Sequence, residues 1–145
     1  MRRYAAGIAF LLLAAGTAQA CSCSRVSKVA AFFTASDVFT GTVLSVGREG
    51  GSGIKGRVLV EQSWKGVPAG TVVSVYTSSG GSSCGVALPV GREIVIFARC
   101  ESHGPWKGRL FTSLCDQPSG LSMLTVSDSL GPPASVRSKE TGWAR

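Results

Sequence analysis

The side chains of this 145-residue chain with the most chemistry to offer are its five cysteines, Cys21, Cys23, Cys84, Cys100 and Cys115. Two of them stand at alternate positions in Cys21-Ser22-Cys23. There is no Cys-x-x-Cys pair. The one histidine, His103, lies in Glu101-Ser102-His103-Gly104-Pro105, which reads as a surface turn. Without a histidine pair or a Cys-x-x-Cys at ligand spacing, no resident metal is expected for the isolated protein, and no cofactor. Gly81-Ser82-Ser83-Cys84-Gly85 fits the Gly-x-Ser-x-Gly nucleophile pattern, but that elbow needs a strand-to-helix turn in a large α/β sheet. No helix signal follows Gly85, so the segment reads as a Gly/Ser connector that carries a cystine, and the chain is not expected to be an enzyme.

What precedes the first cysteine gives it a further meaning. Arg2-Arg3, the apolar run Ala5–Ala15 and the small residues of Ala18-Gln19-Ala20 have the form of a signal peptide over residues 1–20. The apolar run is too short to span a bilayer. Cleavage after Ala20 makes Cys21 the first residue of a 125-residue chain (145 − 20). A cysteine after a small residue also suits lipid attachment, but Ala18 stands where that signal has Leu and the bulky Gln19 where it has a small residue. Arg2-Arg3 lacks the rest of a twin-arginine pattern. Export, to the extracellular space or a periplasm, makes disulfides the default for the cysteines, and an odd count leaves one thiol over or pairing between chains. A free α-amine on Cys21, together with the carbonyl oxygen of the same residue, would form a five-membered chelate. Such a pair, held rigid by a disulfide, could occupy the open coordination position of a catalytic zinc and displace its water. The amine titrates near pH 8, so a useful fraction is neutral at physiological pH.

The elements that must position these residues are mostly strands. Apolar residues at 26, 29, 30 and 33 have helical spacing and predict a short helix over Val26–Ala35, ended by Ser36-Asp37. Val38–Val46, Arg57–Trp64, Thr71–Thr77, the apolar run Glu93–Ala98 and Leu110–Leu114 predict five strands. Gly47–Gly56, with five glycines, predicts a flexible turn, and Lys65–Gly70 a second one. Leu121–Leu130 allows a second short helix, stopped by Gly131-Pro132-Pro133. A domain over 21–131 and a disordered tail over 132–145 follow. Five short strands with Gly-rich turns suggest a mainly β fold, a closed five-stranded OB-type Greek-key barrel, although the pattern also suits a small sandwich. After cleavage, 13 basic and 8 acidic side chains give a net charge of +5. The basic residues are scattered and do not alternate with aromatics, which argues against nucleic-acid binding. No later apolar run reaches membrane-spanning length.

The order of these features resembles the tissue inhibitors of metalloproteinases and the wider netrin-like group, including small secreted bacterial members. Cys21-Ser22-Cys23 is similar to the family's mature Cys-x-Cys start. Ala31-Phe32 and Ser36-Asp37-Val38 resemble its first helix and the approach to its first strand. Ser83-Cys84-Gly85 resembles the connector that receives the first cysteine, and Glu93–Ala98 followed by Leu114-Cys115-Asp116 resembles its late strands and the cysteine that receives the second. The resemblance covers about Cys21–Asp116. It implies an OB barrel with Cys21–Cys84 and Cys23–Cys115 disulfides and a free thiol at Cys100. It further implies chelation of a target protease's zinc by the Cys21 amine and carbonyl, with Ser22 pointing into the specificity pocket and Cys23, Ser83, Cys84 and Gly85 in the inhibitory contact.

The chain departs from the family in four ways. Phe33 stands near a cysteine that animal inhibitors carry in the first helix, the second disulfide domain is absent, and Cys100 has no counterpart. The long first hairpin that some inhibitors use for contact is expected to be reduced to a Gly-rich turn. The alternative reading is therefore a netrin-like binding module of the envelope or extracellular space without protease-inhibitory activity. A third is an envelope redox or metal-binding protein using Cys21, Cys23 or Cys100. The chain is expected to be a monomer, unless Cys100 links two copies through a disulfide.

Overall fold

A computed structural model describes residues 21–79 and 83–138. The expected signal peptide over 1–20 and the end of the expected tail, 139–145, lie outside the described residues. Helix α1 (Lys28–Thr34) begins at Ser27, whose hydroxyl accepts from the Ala30 N–H at 3.2 Å. The strands are β1 (Asp37–Glu49), β2 (Gly53–Lys65), β3 (Val72–Ser78), β4 (Glu93–Cys100) and β5 (Leu110–Phe111). A 3-10 turn (Gly104–Trp106) precedes β5, and α2 (Val126–Leu130) and a two-residue β6 (Ser135–Val136) follow it.

The sheet closes on itself. β1 pairs antiparallel with β2 on one side and with β4 on the other. β3 pairs antiparallel with β2, and β5 bridges the gap, antiparallel to β4 and parallel to β3. The result is a closed ring of five strands in the order β1-β2-β3-β5-β4. Three register shifts in the β1–β2 pairing bend the hairpin far enough for closure. The interior holds Phe39, Val43, Val58, Val60, Val75, Leu88, Ile96 and Ala98. A second cluster, Ala31, Ala35, Val38, Trp64, Phe97 and Val126, packs the two helices against the outside of β1 and β4. This explains the unbroken apolar run of Glu93–Ala98, because that strand is buried on both faces.

Polar anchors complete the joints. Lys65 Nζ donates to the carbonyls of Phe32 and Phe33 at 3.1 and 3.3 Å, and also to that of Ala35, placing a cation at the C-terminal end of α1. Asp37 accepts from Ser36 Oγ at 2.6 Å and from the Val67 N–H at 2.9 Å, and Ser36 Oγ accepts in turn from the Cys100 N–H. The Ser36-Asp37 step thus ends the helix, starts β1 and holds the turn after β2.

Four expectations are corrected. The Gly-rich stretch 47–56 is not an open turn, because β1 and β2 are 13 residues each and pair out to Glu49 and Gly53. Gly53 and Gly56 are strand residues whose missing side chains admit Trp106 and Leu88. The fifth strand stops at Phe111, because Thr112–Asp116 is drawn into a turn. The second helix starts only at Val126, because the Ser122 N–H and the Thr125 hydroxyl make a local turn before it. The segment expected as a tail from 132 carries β6, which pairs with Gln62 and Ser63 where β2 has run past the end of β3. Arg137 fastens it with a bidentate ion pair to Glu61 at 2.6 and 3.1 Å.

The ring makes a testable demand at Gly41, where a Cβ would lie 2.7 Å from the Leu59 carbonyl oxygen and press on Val58. Gly41→Ala is expected to destabilise by about 1–3 kcal/mol in urea unfolding. Gly47→Ala, at a strand glycine with nothing within 4 Å of the added carbon, is expected to stay within about 0.5 kcal/mol.

Candidate functional site

Residues 21–27 form neither helix nor strand. Their position is set by two cystines, Cys21–Cys84 and Cys23–Cys115, with Cα–Cα distances of 5.3 and 5.1 Å. These are the two links that the resemblance implies. They span 63 and 92 residues of sequence, and the chain-entropy model credits each with about 4 kcal/mol. The cystines lie against each other. Cys21 Sγ is 3.9 Å from Cys23 Sγ, and all four sulfurs lie within 4.8 Å of one another.

The receiving cysteines are brought together by the ring itself. Because β3 and β5 run parallel, both leave the sheet at the same end, and Cys84 and Cys115 follow them by a few residues. The Leu114 N–H donates to the Cys84 carbonyl at 2.8 Å, stitching the two exits together. The Thr77 hydroxyl, buried at the end of β3, accepts from the Val86 N–H at 2.9 Å and pins the far side of the connector. Between these anchors Cys84 takes φ 55°, the one positive φ at a non-glycine among the described residues. An L-residue in that region is held there by its surroundings at a cost of about 1–3 kcal/mol.

Cys115 is set by its neighbours on the other side. The Asp116 carboxylate accepts from the Ser113 N–H at 2.9 Å and from Ser113 Oγ at 2.6 Å, and it pairs with Arg99 from β4. Gln117 continues the anchor. Its amide nitrogen donates to the Phe97 carbonyl at 2.9 Å and to Thr112 Oγ1 at 2.7 Å, and its oxygen accepts from the Phe97 N–H at 3.4 Å. A side-chain amide thus serves β4 where β5 has already ended.

Ser22 and Ser83 are exposed at this edge, while Cys21, Cys23, Cys84 and Gly85 are partly covered. The hairpin tip belongs to the same end of the ring. Gly53 pairs with Ser78, and the Ser79 N–H donates to the Ser52 carbonyl at 2.7 Å, just before the connector. Residues 81 and 82 of the Gly-x-Ser-x-Gly pattern lie outside the described residues, and the chain after Gly85 runs to β4 without a helix. Cys100, the last residue of β4, is exposed and stands apart from the four-sulfur group. His103 is exposed, with Nδ1 2.7 Å from Ser102 Oγ. Arg109 lies over the Tyr76 ring and Arg99 over the Phe111 ring, but Glu49 pairs with the first and Glu101 and Asp116 with the second. Among the described residues no helix is long and apolar enough to cross a membrane.

Sequence reasoning singled out the cysteines and the connector. It took Thr77 only as the last residue of a strand, missed Gln117, which carries no local signal, and took Asp116 only as a neighbour of Cys115. Comparison with known protein families and with curated proteins returns no match.

Two measurements check this arrangement. Thiol titration of the native protein is expected to count one reactive thiol per chain and to count none in Cys100→Ser. Gln117→Ala strands the Phe97 N–H and is expected to cost about 1–3 kcal/mol in denaturant unfolding, with both cystines still found by peptide mapping.

Proposed function

We propose that the chain, once it begins at Cys21, is an exported netrin-like inhibitor of zinc metalloproteases built on an OB barrel. The ring order, with a parallel β3–β5 closure and two short helices packed outside, supports the OB reading. The observation that carries the functional reading is the double clamp on the N-terminal segment. Cystines at alternate residues fix the backbone of Cys21 and Cys23 and leave Ser22 between them exposed.

In this reading the Cys21 amine and carbonyl oxygen bind the zinc of a target protease in place of its water. Ser22 enters the pocket that ordinarily receives a substrate side chain, and Cys23, Ser83, Cys84 and Gly85 flank the contact. Rigidity matters because a chelating terminus that is already ordered loses little entropy on binding. The 13-residue strands of the first hairpin strengthen the proposal, since they supply the extended contact element that the glycine count argued against.

A second reading, a binding module without protease inhibition, draws on α1, where Val29 and Phe33 are 66% and 76% exposed beside Leu130. That surface does not involve the Cys21 amine.

The deciding experiment adds one Ala before Cys21 in the purified mature protein and measures inhibition across a panel of zinc metalloproteases. The extension is expected to weaken inhibition about a hundredfold or more, equivalent to about 2.8 kcal/mol, with the β-sheet circular dichroism unchanged. Inhibition that survives the extension would exclude chelation through the terminus. Because the bound amine must be neutral, affinity is expected to rise about tenfold per pH unit below its pKa near 8 and then level off.

A further inference from the structure

The four sulfurs at the head of the ring are closer together than two separate staples require. We propose that Cys21, Cys23, Cys84 and Cys115, when reduced, form a tetrathiolate site for a zinc-like divalent ion, so that a metal replaces the cystines as the clamp on the N-terminal segment. The inference concerns the reduced protein and does not rest on protease inhibition.

Geometry is the first support. A tetrahedral zinc with Zn–S bonds of about 2.3 Å needs sulfurs about 3.8 Å apart along each edge. Cys21 Sγ and Cys23 Sγ are 3.9 Å apart already, and no pair of the four exceeds 4.8 Å. Only the two bonded pairs must open, and each joins the unpaired N-terminal segment to a loop. The second support is that the receiving positions have anchors of their own. The Leu114–Cys84 backbone bond, the Thr77–Val86 bond and the Asp116 turn are made by groups other than the sulfurs. Half of the ligand set is therefore held by the ring, and Cys21 and Cys23, one residue apart, bring the other half. The third support is chemical type, because four thiolates with no carboxylate among them select soft or borderline ions over calcium or magnesium.

The chemistry balances. Two equivalents of a dithiol supply four electrons and four protons, both S–S bonds break, four S–H groups form, and the dithiol leaves as its own disulfide. The metal ion then displaces the four protons as four metal–sulfur bonds form. In the reverse direction two equivalents of a small-molecule disulfide take up four electrons and four protons, both cystines form again and the ion is released, which makes the clamp a metal site in a reducing compartment and a pair of cystines in an oxidising one.

The test uses the full mature chain, reduced with excess dithiol, freed of it by gel filtration without oxygen, and titrated with Co²⁺. The expected result is the thiolate-to-cobalt charge-transfer band of a four-sulfur tetrahedral site, saturating at one ion per chain and lost on adding Zn²⁺. Cys100→Ser is expected to keep this spectrum and Cys23→Ser to lose it. Absence of the band in the reduced wild-type protein overturns the proposal. So does an unchanged spectrum in Cys23→Ser, its loss in Cys100→Ser, or an identical titration in concentrated urea, where the ring no longer gathers the ligands.

Discussion

The short parallel pairing of β3 with β5 is the contact on which the architecture turns. Only Val75 with Leu110 and Tyr76 with Phe111 take part, yet this pairing converts a curled sheet into a closed ring. It also sets direction. Two parallel strands leave a sheet at the same end, so the connector after β3 and the turn after β5 emerge side by side. That is why Cys84 and Cys115, far apart in sequence, stand close enough for two cysteines separated by one residue to reach both. An antiparallel fifth strand would send its exit to the opposite end and leave Cys23 without a partner beside Cys21.

Much of this was legible in the residues, and the failures have definite causes. The first helix could be read as an element from apolar spacing at 26, 29, 30 and 33, but its packed face is Ala31 and Ala35, while Val29 and Phe33 stay exposed. The doubly buried β4 could be read from its unbroken apolar run. The first hairpin could not, because glycine is ambiguous. Five glycines in ten residues suggest a loop, whereas Gly53 and Gly56 are strand positions where another side chain fills the space of the missing one. β5 was overestimated because Thr112 and Ser113 suit a strand in isolation. The Asp116 carboxylate captures Ser113 instead, and Gln117 supplies the hydrogen bonds that a longer strand would have made. β6 left no trace because two residues in a polar segment carry no period. The set of cysteines was legible, but their gathering was not, since no local pattern states that two strands run parallel.

The ring, its interior core and the two receiving loops are built from residues after Ser36, and the second core adds Ala31 and Ala35 of α1, so neither core contains the first residue. The proposed zinc chelation needs a chain that begins at Cys21 and a terminus held still. The same edge is therefore common to the two proposals, zinc chelation by a terminus at Cys21 and metal binding by the four reduced cysteines.

Two cystines in van der Waals contact share a neighbourhood, so breaking one places a thiolate beside the other. Attack on a neighbouring disulfide needs a thiolate within reach and in line with the S–S bond, and the 3.9 Å separation of Cys21 Sγ from Cys23 Sγ supplies the first of these. The receiving loops have anchors of their own beside the sulfurs. Cys84 is held in its positive-φ turn by Leu114 and Thr77, and Cys115 by the Asp116 turn. The hydrogen bonds around each receiving cysteine fix where its sulfur stands, and through the cystines they fix the backbone of Cys21 and Cys23 at the edge.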